Sequence, residues 1–235
     1  MAERQLLFIL GMHRSGTSAL CAALENCGVD FGTDLLEGMA GVNTHGFWED
    51  AAVVEQNQSI LEKLAATWYT PPPLTAVAQW AGSERQEAVG KIRALLERGF
   101  GNGPLQAIKD PRLCITLPLW LEACADMELS SSVCVIYRAP LEVARSLHQR
   151  DGFAVGYGLR LYLDYLRMME AHLPAGALAV TYDDLLADST RVMKELSDTL
   201  PLNVASDADL QDVIHADQRH FAGAGAQSLL SVAQA

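Results

Sequence analysis

Short apolar runs alternate with segments of helical period along this chain. Leu6-Leu7-Phe8-Ile9-Leu10 and Ser132-Val133-Cys134-Val135-Ile136-Tyr137 are apolar without alternation, which predicts strands buried on both faces. Ala107-Ile108-Lys109 and Ala177-Leu178-Ala179-Val180-Thr181-Tyr182 read as two further strands. Helical stretches are expected at 19–25, 47–64, 83–98 and 141–150, the last with Leu141, Ala144 and Leu147 on one face. Pro140 suits the first turn of that helix, where its missing N–H costs nothing. Thr70-Pro71-Pro72-Pro73 breaks the chain, 28–46 reads as a long connection, and Gly99-Phe100-Gly101-Asn102-Gly103-Pro104 is a turn. The order predicts an α/β fold with three layers: a mostly parallel central sheet with helices on both faces.

A single domain over 1–235 is expected from the length. Residues 30–100 read as an insertion between the first two strands, rich in Trp48, Trp68, Tyr69 and Trp80. Ligands of such sheets sit beyond the strand carboxyl ends, so this insertion is the expected cover of an acceptor site, although its aromatics can equally be core. The 206–235 tail carries little pattern, and 222–235 is expected to be loosely ordered.

Composition narrows the class. Half the residues are hydrophobic, which argues against disorder. Lys plus Arg is 17 against 29 Asp plus Glu, a formal charge of −12, which opposes nucleic-acid and anionic-membrane binding. Against that background Arg14, Lys109, Arg112 and Arg138 mark a candidate anion site. The run 6–10 is far too short to span a membrane, and no leader pattern is expected at the amino terminus. Five cysteines without metal spacing predict reduced thiols and a cytoplasmic protein, with Cys21 and Cys134 in the core.

The candidate chemistry begins after the first strand. Gly11-Met12-His13-Arg14-Ser15-Gly16-Thr17-Ser18 is a glycine-bounded loop leading into a helix, an arrangement that aims backbone N–H groups and the helix dipole at a phosphate. The spacing matches a Walker loop, but Thr17 and Ser18 stand where Lys and Ser/Thr would be, and Arg14 is the nearby cation. The third strand ends in Arg138-Ala139-Pro140, with Ser146 two turns into the following helix. Alone, Arg138 could be a surface ion-pair residue and Ser146 part of a solvated helix face.

Together these segments resemble the sulfotransferases that use 3′-phosphoadenosine 5′-phosphosulfate (PAPS). The loop at 11–18 resembles their 5′-phosphosulfate loop, in the bacterial form with Arg for Lys. Arg138 and Ser146 resemble the pair that grips the cofactor 3′-phosphate. Lys109-Asp110-Pro111-Arg112 and Tyr182-Asp183-Asp184-Leu185 resemble two further family elements, with Asp183 in place of the usual Glu. The likeness runs over about residues 5–190 and is weak between the motifs. It implies a P-loop NTPase-like sulfotransferase fold and in-line sulfuryl transfer to an acceptor hydroxyl or amine. The product would be adenosine 3′,5′-bisphosphate (PAP), and no metal is expected. It also implies a cofactor site of Arg14, Ser15, Gly16, Thr17, Ser18, Arg138 and Ser146, with Arg219, beside His220, from a basic closing segment.

Catalytic candidates are Arg14 on the leaving group, Lys109 on the transferring sulfonate (or paired with Asp110), and Glu49 in Gly46-Phe47-Trp48-Glu49 as base, with His45 second. Glu49 could instead favour a helix start. His13, in the loop, is a further catalytic candidate, expected to touch cofactor or acceptor rather than to remove a proton. The acceptor, a small molecule, glycan or lipid, and the oligomeric state are not legible. Two alternatives stay open: a P-loop kinase or NTPase, opposed by the missing lysine, and a catalytically silent nucleotide-binding module.

Overall fold

The computed structural model describes residues 4–38, 46–207, 209 and 210. Strands β1 (Gln5–Leu10), β2 (Leu105–Lys109), β3 (Ser131–Tyr137) and β4 (Leu178–Thr181) pair in the order β2-β1-β3-β4, each pairing parallel. The unalternating runs have a direct cause. Leu6, Phe8 and Leu10 enter one core while Leu7 and Ile9 enter the other, so both faces of β1 are dry.

The larger core is covered by α2 (Ala51–Lys63), α4 (Ser83–Arg98), α5 (Leu113–Asp126), α6 (Pro140–Asp151) and α7 (Val155–His172), with the short α3 (Ala76–Gln79) beside them. The smaller is covered by α1 (Thr17–Asn26), α8 (Tyr182–Ala187) and α9 (Ser189–Ser197). This is the expected three-layer α/β architecture.

Three local expectations change. The helix expected at 47–64 begins at Ala51, because the Asp50 carboxylate accepts from Ala52 N–H (3.0 Å) and Val53 N–H (3.1 Å), and Trp48 sits at φ 51°. Glu49 therefore lies before the helix. On α6, Leu141 is 41% exposed, whereas Val143, Ala144, Ser146 and Leu147 are buried. The inward face is set by α7, whose Gly158 lies so near α6 that a Cβ there would stand 2.9 Å from Ala144 Cα. The last change concerns α5 and α7, which lie in stretches where no helix was expected. Helix α5 buries Leu113, Leu117 and Trp120 and tolerates Pro118 in its interior; α7 buries Tyr162 and Tyr165.

Candidate active site

The loop after β1 is pressed between sheet and helix. A Cβ on Gly11 would meet Thr17 Cγ2 at 2.8 Å and the Ile136 carbonyl of β3 at 3.0 Å. Ser15 N–H donates to the Met12 carbonyl (3.0 Å), and Arg14 (φ 69°) and Gly16 (φ 93°) take left-handed conformations. For Arg14 that conformation is strained, which the surrounding contacts must hold in place. Gly16 has a second constraint: an added Cβ would lie 2.2 Å from the Tyr182 ring. Helix α1 then starts at Thr17 with no side-chain cap, so the positive end of its dipole faces the loop. Thr17 is buried there, and Ser18 follows it on α1.

The segment after β3 closes onto this loop. Arg138 Nε donates to Glu142 Oε2 (3.0 Å) and its Nη1 to the Arg14 carbonyl (3.1 Å). The guanidinium lies 4.5 Å from the centre of the Tyr182 ring, and the Arg138 carbonyl accepts from Tyr162 Oη–H (2.8 Å). Arg14 Nε donates to Ser146 Oγ (2.8 Å), and Ser146 is buried. Two motifs 124 residues apart in sequence thus share a hydrogen-bonded network. Burial and the nearby Arg150 and Arg138 push the Arg14 pKa below its ordinary value, yet a guanidinium remains charged at neutral pH.

At the end of β2, Lys109 is 3% exposed and its Nζ donates to Glu49 Oε1 (2.5 Å) and to the Phe47 carbonyl (2.9 Å). Lys109 is therefore paired with Glu49 rather than with Asp110. Asp110 instead takes Arg112 N–H and Nη1 (2.9 Å each) and Asn57 Nδ2 (2.9 Å). Asn57 Oδ1 accepts in turn from Thr116 Oγ1 (2.8 Å) and Trp120 Nε1 (2.9 Å), which ties β2 to α2 and α5.

His13 joins the loop to an aromatic cluster. Its ring centre is 4.5 Å from that of Trp68 and 6.2 Å from that of Tyr165. Trp68 also contacts Tyr69 and Phe153, Phe153 contacts Tyr157, and the Arg150 guanidinium stands 5.2 Å from the Trp68 ring. Hydroxyls lock the two segments together: Tyr165 donates to the Trp68 carbonyl (2.8 Å) and Tyr157 to that of Tyr69. Burial lowers the His13 pKa well below its ordinary value, and the cations Arg150, Arg112, Lys109 and Arg14 push the same way. His13 Nε2, Ser15 Oγ and Arg112 Nε are buried without a hydrogen-bond partner.

The aromatics of 30–100 divide. Trp68 and Tyr69 belong to this cluster, Trp80 packs on the larger core, and Trp48 lies against the smaller core with its Nε1 donating to Glu25 Oε2 (3.1 Å). His45, Arg219 and His220 lie outside the described residues. Sequence reasoning missed Glu142, which its position four residues after Arg138 could have signalled. It also missed Phe153 and Tyr165, which meet Trp68, and Tyr157, which meets Phe153 and the Tyr69 carbonyl, all through long-range folding.

The sulfotransferase domain of the Synechococcus PCC 7002 olefin synthase is similar in structure to this chain, with a TM-score of 0.50 and 18% sequence identity. The fold is sulfotransferase-like. The match covers 93% of this chain and 80% of that domain, and at such identity it speaks for the fold alone. No protein-family model and no curated protein matches the chain. Among the described residues no group of three or more His, Cys, Asp or Glu is placed to hold a metal ion, and no helix is long and apolar enough to cross a membrane.

Proposed function

We propose that this chain is a PAPS-dependent sulfotransferase of one catalytic domain, acting on a hydroxyl or amine of a small-molecule, glycan or lipid acceptor. The observation that carries this reading is the meeting of Arg14, Arg138 and Ser146 beside a glycine loop and an uncapped helix start. The residues fit an anionic cofactor by a test internal to the fold. Buried polar atoms are nearly always hydrogen-bonded. Among the described residues Ser15 Oγ in the loop and Arg112 Nε are left without a partner, and both can donate to an anion.

When bound, PAPS supplies a sulfuryl group whose bond to the 5′-phosphate breaks as the acceptor's lone pair bonds to sulfur, leaving PAP. Residues 14–18 offer backbone and hydroxyl donors to the 5′ end, and Arg14 supplies positive charge where the leaving group gains negative charge. Arg138 and Ser146 hold the 3′-phosphate. Lys109, fixed by Glu49 and the Phe47 carbonyl, steadies the sulfonate. The Trp68 and Phe153 rings wall the acceptor side. Five buried thiols and a charge of −12 accord with a cytoplasmic protein that binds no nucleic acid.

The test is turnover of sulfur-labelled PAPS with 4-nitrophenol as a probe acceptor and water as control. Release of PAP by the wild type, slowed at least ~100-fold by Arg14→Ala, supports the reading. Equal rates with and without wild-type protein, at saturating PAPS, contradict it.

A further inference from the structure

Proton removal from the acceptor needs a group beside the phosphate loop whose lone pair is not already committed. The carboxylate expected to do this, Glu49, is committed: its Oε1 lies 2.5 Å from the ammonium of Lys109. Protonating Glu49 would strip the counter-charge from an ammonium that is itself buried, which is costly in a dry site. His13 is in the opposite position. Its Nε2 is buried and has no hydrogen-bond partner, it sits in the loop next to Arg14, and its ring is fixed against Trp68.

We propose that His13, through Nε2, accepts the proton of the acceptor hydroxyl during sulfuryl transfer. This rests on the sulfotransferase reading above and moves the role of base from Glu49 to the loop itself. As the acceptor oxygen bonds to sulfur, its proton passes to Nε2 and the charge released by the broken bond stays on PAP. The resulting imidazolium gives the proton up to water that enters as PAP and the sulfated product leave.

The charged surroundings give this step a timing. Arg14 from the loop, Lys109 and Arg112 from the end of β2, and Arg150 from α6 all disfavour a proton on His13, and Tyr165 of α7 packs against its ring. Lys109, Arg112 and Arg150 have Glu49, Asp110 and Asp151 as partners. In the free protein His13 is therefore neutral, with its lone pair available at neutral pH. Anionic cofactor placed among the same cations offsets their charge and raises the proton affinity of His13 when it must act. Departure of PAP restores the cations' effect and expels the proton. Positioned bases of this kind contribute ~10²–10⁴-fold to rate.

Two measurements test this. The first uses nitrogen-15 NMR of histidine-labelled protein, with the His13 signal identified by its loss in His13→Gln. His13 is expected to titrate well below the usual histidine range in the free protein and at higher pH with PAP saturating. PAP bound with no movement of the His13 titration overturns the proposal without touching the cofactor assignment; PAP that does not bind overturns the cofactor assignment itself. The second compares turnover of PAPS at neutral pH with 2-phenylethanol, an acceptor whose hydroxyl keeps its proton until a base removes it. His13→Gln is expected to slow turnover ~100-fold or more while changing PAP affinity less than ~3-fold, and Glu49→Gln to slow it less than ~10-fold. Added imidazole should restore part of the rate of His13→Gly. A Glu49→Gln loss of ~100-fold with His13→Gln active would return the role to Glu49. A His13→Gln loss confined to PAP affinity would make His13 a phosphate ligand only.

Discussion

Arg138 has a structural role in the fold and, in the proposed site, a second role on the cofactor, which a single substitution confounds and a pair of substitutions separates. Its guanidinium is the ion-pair partner of Glu142, a side chain only 2% exposed, at 3.0 Å. It also lies over the Tyr182 ring. Arg138→Ala removes the positive charge beside a buried carboxylate, a change that typically costs about 3–5 kcal/mol. Loss of the ring contact adds about 0.5–2 kcal/mol. In urea unfolding followed by circular dichroism, the midpoint should fall accordingly. Replacing Glu142 as well, in Arg138→Ala/Glu142→Gln, removes the buried charge and should recover about half of the lost stability. PAP affinity should not recover. A lost charged hydrogen bond of about 1.5–3 kcal/mol corresponds to roughly 10- to 150-fold weaker binding, and calorimetry should find that loss in both variants. If the double variant regains wild-type PAP affinity together with its stability, Arg138 acts only as a strut and its place in the cofactor site is wrong. An Arg138→Ala midpoint equal to wild type would sink the ion-pair argument instead.

Three further outcomes are expected. Gly16→Ala must adopt a left-handed backbone at about 1–2 kcal/mol and displace the buried Tyr182 ring at about 1–3 kcal/mol more, so its urea midpoint should drop clearly; an unchanged midpoint would contradict the close contact. His13 has a folded-state pKa below its unfolded one, so its stabilising effect is complete above about pH 6.5 and is lost as pH falls below it. Between pH 6.5 and 5.5 wild type should lose about 1 kcal/mol more than His13→Gln, read as the difference between their unfolding curves, and parallel curves would refute it. Trp68→Ala opens His13 to water and removes the largest cause of its low pKa, so the NMR titration of His13 should move up towards the ordinary range; an unmoved titration would show that neighbouring cations, not burial, dominate.

What could be read from the sequence was what local pattern encodes. Leu6-Leu7-Phe8-Ile9-Leu10 announces a two-sided strand because five consecutive side chains must be buried, and the glycines at 11 and 16 bracket a loop that only small residues permit. The pairing of Lys109 with Glu49 was hidden, since 60 residues separate them and Asp110 stands next door as a plausible partner. The backbone decides the matter: Asp110 turns to the Arg112 amide and to Asn57, leaving the lysine to the residues before α2. The helix expected from 47 starts later, because the Asp50 carboxylate caps it and fixes its first residue at Ala51, which leaves Glu49 just ahead of it. Period alone groups Leu141 with Ala144 and Leu147 on one face, whereas the approach of Gly158 to Ala144 sets which face of α6 is inward and leaves Leu141 exposed. The aromatics at 68 and 69 were visible, but their assembly around His13 was not, because Phe153 and Tyr165 lie more than eighty residues further along the chain and reach Trp68 only once the chain is folded.

The central claim is that the loop after β1 and the Arg138–Ser146 segment form one site for PAPS and its product. Calorimetric titration of the purified protein with PAP, beside ATP with and without magnesium, tests it most directly. The account predicts tight binding of PAP that magnesium does not alter, and little binding of ATP. Magnesium-dependent binding of ATP with none of PAP would contradict it and identify the loop as a nucleoside triphosphate site.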